Sequence, residues 1–188
     1  MEAVRLVILG RQGSGKGTQC ARLVATYGPV HVSTGDMLRS AVEEGTDLGR
    51  RAGALVDAGE LVPDDVMIGI VAERLAKQDV VDHGFLLDGF PRTPAQADAL
   101  GEIMGDAGLA RAVNIDVPVD EATDRMLSRA RTDDTEEAIR RRLQLYESTT
   151  EPLLAWFEEH GLLSVVDGLG TEDEVFERLR TVVEGAPA

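Results

Sequence analysis

Glycine and lysine are concentrated in one short segment, GRQGSGKGT, which runs from Gly10 to Thr18. It matches the phosphate-binding pattern G-x-x-x-x-G-K through Lys16, although Gly17 occupies the usual Ser/Thr position and Thr18 follows one place later. In such a turn, backbone N–H groups converge on an anion, the next helix adds its positive N-terminus, and the lysine supplies a mobile charge. An apolar run precedes the segment and a helix-forming run follows it, as this motif requires. The segment therefore predicts a phosphate-binding loop rather than a plain glycine-rich turn.

A second chemically suggestive segment ends the apolar run at residues 84–88, where Asp88 is followed by Gly89. In a parallel sheet, Asp88 lies at the carboxyl edge beside the phosphate-binding loop, where a carboxylate can hold a magnesium ion through water. Taken alone, Asp88 is better explained as a turn residue at the end of a strand, before Gly89. Its combination with Lys16 favours the magnesium interpretation.

The composition of the 188-residue chain limits the classes of function. A net charge of -15 and a pI near 4.5 argue against general binding to nucleic acid or to anionic membranes. The chain has two lysines and seventeen arginines, a ratio that a GC-rich codon bias would also produce, so the positions of the arginines carry the argument. No apolar stretch approaches about 18 residues and the first strand follows no cationic leader, so we expect a soluble, cytoplasmic protein.

Cysteine and histidine offer little for metal or redox chemistry. The single cysteine, Cys20, excludes an internal disulfide and a cysteine-based zinc cluster, and we expect a packed, unreactive thiol. His31, His83 and His160 lie far apart and share no ligand spacing. The sequence therefore favours neither a histidine metal site nor a histidine catalyst.

Apolar runs and helix-forming segments alternate along the chain. Segments with helical periodicity separate five runs of strand character, at residues 4–9, 30–33, 84–88, 112–117 and 162–166. This alternation predicts an α/β fold with a parallel sheet. Residues of about 36–78 hold too much helix for a single crossover, so we expect a small helical insertion there.

Five segments in this order resemble the nucleoside monophosphate kinases and, within them, the adenylate kinase family. Besides the phosphate-binding loop they are STGDMLR at 33–39, DAGELVPD at 57–64, GFLLDGFPRT at 84–93 and RARTDDTEEAIRRRLQLY at 129–146. The resemblance covers nearly the whole chain. It implies a P-loop NTPase-like three-layer α/β fold with a five-stranded parallel sheet. It also implies magnesium-dependent, reversible transfer of the terminal phosphoryl group of ATP to AMP, giving two ADP.

The resemblance further implies how a single domain over residues 1–188 is divided. Its parts are a core of 1–32, 63–127 and 135–188, a helical monophosphate-binding subdomain of 33–62, and a short lid of 128–134. The long lid hairpin with zinc ligands is absent, so no zinc is expected. We expect a monomer whose partners are ATP, AMP and ADP, with no nucleic acid or membrane partner. Gln12 departs from the proline usual in the loop, which adds a backbone amide and removes no donor.

Site residues are implied at the positions that match the family motifs. The ATP site comprises Gly13, Ser14, Gly15, Lys16, Gly17, Thr18, Arg125, Arg129 and Gly170. The AMP site comprises Thr34, Arg39, Glu60, Leu61, Val62, Gly89, Phe90, Pro91, Arg92, Gln96, Arg131 and Arg142. The catalytic set comprises Lys16, Asp88, Arg92, Arg129, Arg131 and Arg142. Gln96 is expected to face the adenine edge, and Asp88 to hold Mg²⁺ through water.

Helical periodicity distinguishes the members of the arginine triplet at 140–142. With Ile139, Leu143 and Tyr146 marking a buried stripe, steps of about 100° per residue place Arg142 next to that stripe and Arg141 almost opposite it. Arg142 has no acidic residue three or four positions away. An inward arginine without a local partner favours an external anion such as a nucleotide phosphate, with a distant structural carboxylate as the alternative.

Two other arginines have local partners that offer a simpler explanation. Arg39 has Glu43 one turn along the same helix, and Arg125 has Glu121 one turn before it. Pairs at this spacing form ordinary surface ion pairs. For Arg39 phosphate binding is favoured, whereas Arg125 stays open between the two interpretations.

Two alternatives to an adenylate kinase remain at this level. A UMP/CMP kinase would share the phosphate-binding loop and a short lid, and Gln96 after FPRTPA favours AMP over it. A nucleotide-binding regulatory module without turnover would not need charged groups converging from separate segments of the chain, such as those of Lys16, Asp88, Arg92 and Arg142. A P-loop GTPase is weaker, since the chain has no N-K-x-D-like guanine signature. Because a phosphate acceptor is already an anionic nucleophile, the absence of an obvious general base is consistent with kinase chemistry.

Overall fold

The computed structural model of the protein describes residues 4–43, 62–105, 108–129 and 136–185. The strands are β1 (Val4–Leu9), β2 (Val30–Ser33), β3 (Gly84–Asp88), β4 (Arg111–Asp116) and β5 (Leu163–Asp167). The helices within the described ranges are α1 (Lys16–Tyr27), α2 (Thr34–Glu43), α3 (Asp64–Leu75), α4 (Gln78–His83), α5 (Pro94–Met104), α6 (Val119–Arg129), α7 (Glu136–Glu159) and α8 (Glu172–Glu184).

The strands form a single parallel sheet in the order β2-β3-β1-β4-β5. The predicted α/β class and the five-stranded parallel sheet are therefore confirmed. The register pairs Ile8 of β1 with Asp88 of β3, and Asp88 with Ser33 of β2. Because all five strands point the same way, the loops that follow β1, β2 and β3 meet at one carboxyl edge of the sheet.

Helices cover both faces of this sheet and make three layers. Alternate residues of β1 face opposite sides: Val7 and Leu9 belong to one buried cluster, and Leu6 and Ile8 to another. The first cluster receives residues from α3, α5 and α7, and the second from α1, α6 and α8. These four residues of β1 are almost completely buried, as expected for a central strand with helices on both faces.

Two predicted strands are each displaced by one residue. The run predicted at 112–117 is a strand over Arg111–Asp116, since Arg111 pairs with Leu6 of β1. Val117 is fully buried but lies outside the strand, because Pro118 after it has no N–H with which to continue the ladder. Apolarity therefore predicted burial here rather than strand pairing.

The last strand is displaced because Leu162 takes part in ending helix α7 and the strand begins one residue later. The run predicted at 162–166 is a strand over Leu163–Asp167. The N–H of Leu162 donates to the carbonyl of Phe157 at 2.9 Å and so closes the C-terminus of α7. At the other end, Asp167 pairs with Asp116, which extends the ladder into a polar residue.

Three helix boundaries within the described ranges carry residues typical of such positions. The backbone N–H of Asp36 donates to Ser33 Oγ at 3.3 Å at the start of α2, and Pro63 immediately precedes α3. Gly161 follows α7 with a φ of 67°. Residues 44–61 of the predicted helical insertion lie outside the described residues. None of the described helices combines the length and apolarity needed to cross a membrane.

Candidate nucleotide-binding and phosphoryl-transfer site

The phosphate-binding loop leaves the central strand and turns directly into α1. Gly13 and Gly15 have φ values of 88° and 87°, in the left-handed region that glycine adopts without strain. A β-carbon at Gly13 would overlap the backbone carbonyl of Ala122 in α6, so the loop lies tightly against that helix. Glycine at position 13 is therefore required by two independent constraints.

The start of α1 is open to an anion. An α-helix leaves its first N–H groups without intrahelical acceptors, and the cap residue Gly15 supplies no side chain to bind them. The first turn of α1 also holds no acidic residue. Ser14 Oγ is buried and has no hydrogen-bond partner within the described part of the chain. These features fit a site for phosphate oxygens at the positive end of a helix.

Lys16 is the first residue of α1, and its ammonium group lies over the loop. Its Nζ donates to the carbonyl oxygen of Gly10 and, at 3.1 Å, to that of Arg11. The lysine is half-buried, so a positive charge is held at the mouth of the loop. The predicted juxtaposition of glycine loop, helix start and ammonium group is therefore present.

Replacing Gly13 by alanine is expected to lower the free energy of unfolding by at least about 3 kcal/mol, because alanine is strained at positive φ and its methyl group would displace α6. Gly17→Ala is the matched control. A β-carbon there meets nothing within 4 Å, and alanine favours helix, so stability should hold or rise by up to about 1 kcal/mol. Urea denaturation followed by circular dichroism measures both. Equal losses in the two variants would contradict the steric role of Gly13.

Asp88 ends β3 beside the phosphate-binding loop, as predicted. Its carboxylate is 21% exposed, and Oδ2 lies 3.8 Å from Nε2 of His31, a neighbour that sequence spacing did not indicate. Cys20, His31 and Asp88 each offer one atom that could ligate a metal, and these three atoms lie within 4.8 Å of one another. Burial, with a smaller effect from the charge of Asp88, raises the pKa of the Cys20 thiol from 9.0 to about 12, against an opposing effect of Lys16.

The chemistry of this cluster fits magnesium better than a thiolate-preferring metal. At neutral pH a thiol with such a pKa stays protonated, and Cys20 is completely buried, which confirms the expected packed thiol. The Asp88 carboxylate, in contrast, is a hard oxygen ligand that keeps partial access to solvent. Carboxylate oxygen and retained water are what Mg²⁺ prefers.

The segment after Asp88 brings several predicted AMP-site residues to the same edge. A β-carbon at Gly89 would lie 2.6 Å from Oγ1 of Thr34, so the two loops approach closely. Thr34 is fully buried, and its hydroxyl donates to the Asp88 carbonyl at 3.4 Å. Phe90 and Pro91 are buried below this surface and joined by a cis peptide bond.

Arg92 extends from that loop towards solvent. Its Nε donates to the carbonyl of Gly89 at 2.8 Å, which holds the base of the guanidinium. Arg92 is exposed as a residue, yet the chain crowds its charged group. Desolvation therefore lowers the pKa of Arg92, and the charge of Asp88 opposes this shift only in part. Arginine stays protonated throughout the physiological range, so Arg92 presents a fixed positive fork at the site.

Gln96 lies in the first turn of α5 and is 4% exposed. Its Oε1 accepts from the backbone N–H of Arg92 at 2.8 Å, and its Nε2 donates to Oδ1 of Asp64 at 2.6 Å. Thr93 caps the helix: its hydroxyl accepts from the Gln96 N–H and donates to Oδ2 of Asp64. The sequence analysis did not indicate the contacts of Asp64, because its partners lie 29 and 32 positions away.

On the ATP side, Arg125 has protein partners. Its Nε donates to Glu121 at 2.7 Å and both terminal nitrogens lie 3.2 Å from the Gly168 carbonyl. The pairing with Glu121, one of the two predicted explanations, is present, and contact with ATP stays a prediction. Gly170 lies beyond Gly168 with a φ of 104°, directly before the capping box that starts α8.

Other predicted site residues are only partly covered by the structure. Val62 is buried at the start of the segment leading into α3. Glu60, Leu61 and Arg131 lie outside the described residues. The helical positions of Arg39, Arg129 and Arg142 in α2, α6 and α7 are described, whereas their side chains are not. Their roles stay predictions.

The fold has three layers with a parallel sheet in the middle, and a glycine-rich phosphate-binding loop follows the central strand. These features define a P-loop nucleotide-binding protein. Asp88 and Arg92 beside the loop are typical of a phosphotransferase. A sequence model of the adenylate kinase family matches residues 8–162. The chain therefore belongs to the adenylate kinase family, and its function is that of an adenylate kinase, a nucleotide-binding phosphotransferase.

Individual relatives agree with this family assignment over almost their full length. The adenylate kinase of Stenotrophomonas maltophilia is 44% identical over 188 aligned positions, covering 97% of this chain and 100% of the relative. That of Thermus thermophilus is 44% identical over 184, covering 95% and 96%. That of Thermodesulfovibrio yellowstonii is 42% identical over 214, covering 96% and 99%. The alignment of 214 positions exceeds the 188 residues of this chain, so that relative contains residues that this chain lacks.

Proposed function

We propose that the protein transfers the terminal phosphoryl group of ATP to AMP, reversibly and with Mg²⁺, to give two ADP. The observation that carries this proposal is the register of the sheet. Ile8 lies beside Asp88, so the phosphate-binding loop after β1 and the Gly89–Gln96 segment after β3 open at the same edge. Two phosphate sites at one edge are what transfer between two nucleotides requires.

ATP is placed at the phosphate-binding loop. The amides of residues 13–18 and the open start of α1 would bind its phosphate oxygens, and Lys16 would lie against the phosphoryl group that is transferred. The adenine would lie between Arg125 and the backbone near Gly170. In support, the bonds from Arg125 to the Gly168 carbonyl already hold that side chain beside the loop that contains Gly170.

AMP is placed over Thr34 and the loop that follows Asp88. Arg92 and Arg39 would grip the monophosphate, and Gln96 would face the adenine edge. The backbone around Glu60, Leu61 and Val62 would complete the base pocket. Gln96 and Thr34 are buried, and the exposed guanidinium of Arg92 lies beside them. This supports a pocket with polar groups at its base and a positive charge at its entrance.

Asp88 would hold Mg²⁺ through water, since its carboxylate offers hard oxygen ligands next to the phosphate-binding loop. When bound, the ion neutralises charge on the phosphate oxygens. The residues of the chain position the reactants: Lys16, Arg92, Arg129, Arg131 and Arg142 would converge on the transferring group. The acceptor is an anionic phosphate oxygen, so no side chain has to remove a proton.

Two segments would close over the nucleotides, the monophosphate-binding subdomain at 33–62 and a short lid at 128–134. Closure excludes water, which would otherwise hydrolyse ATP. The additional residues of the Thermodesulfovibrio relative support a shorter form of the fold in this chain. We place the enzyme in the cytoplasm as a monomer that maintains the purine nucleotide pools, a proposal in keeping with its single buried cysteine.

The test follows ADP formation from ATP with AMP, CMP, UMP or GMP, with and without Mg²⁺. We expect kcat/KM for AMP to exceed the values for UMP and GMP by at least about a hundredfold, because buried polar groups reject a mismatched edge. Removing Mg²⁺ should lower the rate with AMP by at least about a hundredfold. Equal use of all four acceptors contradicts the role of Gln96, and no turnover with any acceptor favours a regulatory module.

A further inference from the structure

The side-chain amide of Gln96 is held in one orientation by two different neighbours. Its oxygen faces a backbone donor, the N–H of Arg92 at 2.8 Å, and its nitrogen faces the carboxylate of Asp64 at 2.6 Å. A flipped amide would set Nε2 against the Arg92 N–H and Oε1 against the carboxylate. Both contacts would then be repulsive, so the positions of the amide oxygen and nitrogen are fixed by chemistry.

Asp64 contributes more to this orientation than a single hydrogen bond. Its second oxygen, Oδ2, accepts from the hydroxyl of Thr93 at 3.1 Å. That hydroxyl in turn accepts from the Gln96 backbone N–H at 3.2 Å. The carboxylate is half-buried and lies in the first turn of α3. A carboxylate only accepts hydrogen bonds, so it pairs only with the nitrogen side of Gln96.

The fixed amide has one hydrogen-bonding valence left on each atom. Nε2 carries a second hydrogen, and Oε1 a second lone pair. A base that meets this edge must therefore offer one acceptor to Nε2 and one donor to Oε1. Adenine does so through its N1 and its 6-amino group, and cytosine through N3 and its 4-amino group. Hypoxanthine, guanine and uracil present the reverse pattern, with a carbonyl oxygen beside a ring N–H.

We propose that Asp64 is a specificity-determining positioning residue: it locks the Gln96 amide so that the monophosphate site accepts amino-bearing bases and rejects their oxo counterparts. This inference rests on the proposed function, in which Gln96 faces the acceptor base. It also divides the pyrimidine acceptors, because CMP matches the locked amide and UMP does not.

The experiment compares AMP with IMP, which differ only in the amino or oxo group at C6 and the proton on N1. Wild-type enzyme and Asp64→Asn are assayed for kcat/KM with both acceptors at fixed Mg-ATP. An asparagine of the same shape can present either oxygen or nitrogen to Gln96, so the lock is lost from one side. The expected result is a fall of about tenfold in the AMP-to-IMP ratio, the scale of one hydrogen bond to a charged group.

Asp65→Asn is the matched control, because Asp65 is the next residue of the same helical turn and is exposed. The control removes the same charge from the start of α3 and should leave the AMP-to-IMP ratio within about twofold of wild type. A purely structural effect of Asp64→Asn would lower kcat/KM for both acceptors together. The ratio therefore separates positioning from folding.

The outcomes separate this inference from the proposed function. If wild type prefers AMP and Asp64→Asn keeps the full ratio, the role of Asp64 is overturned while the proposed function stands. If wild type uses AMP and IMP equally, the base-facing role of Gln96 fails, and the inference fails with it.

A second measurement needs no variant and covers the case in which Asp64→Asn does not fold. In ¹⁵N-labelled wild-type protein, relaxation of the Gln96 side-chain Nε2 should give an order parameter close to that of rigid backbone, about 0.85. An order parameter below about 0.6 would show a side-chain amide that reorients freely and would overturn the proposal.

Discussion

Replacing Lys16 by methionine is expected to lower kcat for ADP formation about a thousandfold, the upper range for removing one preorganised charge from a transition state. Methionine keeps most of the unbranched stem of lysine and loses the ammonium group that lies over the carbonyls of Gly10 and Arg11. The fold should survive, with the free energy of unfolding changed by less than about 2 kcal/mol, because the lost bonds join a half-exposed group to loop carbonyls. A coupled assay of ADP formation and urea denaturation measure the two quantities.

The chain supplies its own control, since Lys77 is the only other lysine. Lys77 is exposed at the start of α4, so Lys77→Met removes the same charge far from the phosphate-binding loop. Its activity should stay within about twofold of wild type, as for most surface substitutions. Comparable losses in both variants would mean that net charge, and not an ammonium group at the loop, explains the effect.

The parts of the fold predicted best from sequence are those set by local pattern. The motif from Gly10 to Lys16 predicted a strand, a turn and a helix together, because positive φ at Gly13 and Gly15 and a lysine at the start of the next helix are local features of the chain. Strand ends were predicted less well. Val117 is as buried as any strand residue, yet hydrogen bonding and not burial defines a strand, and Pro118 ends the pairing.

Side-chain networks between distant segments could not be predicted in the same way. The pairing of Arg125 with Glu121 was anticipated because it spans one helical turn. Asp64 contacts Gln96, which lies 32 positions later, and His31 contacts Asp88, which lies 57 positions later in the sequence. Only the packing of α3 on α5 and the pairing of β2 with β3 bring them together.

The helical periodicity of α7 leads to a second prediction of a large effect, at Arg142. Of the predicted stripe, Ile139 and Leu143 are buried and Tyr146 is half-buried, whereas Arg140 and Arg141 are exposed. Position 142 lies next to that stripe on the helical wheel, on the side that would meet a nucleotide phosphate. Arg142→Lys is therefore expected to lower kcat about a hundredfold, since lysine keeps the charge but loses the two-pronged contact with phosphate oxygens.

Arg141→Lys is the matched control, because it makes the same substitution one residue earlier on an exposed face and should leave kcat within about twofold. If Arg142 instead pairs with a distant carboxylate, Arg142→Lys should lower the thermal midpoint while kcat stays near wild type. A fall in kcat at an unchanged midpoint would mean that the guanidinium acts on the transferring group. A rise in KM alone would place it in ground-state binding, since an interaction made equally before and during transfer leaves kcat unchanged.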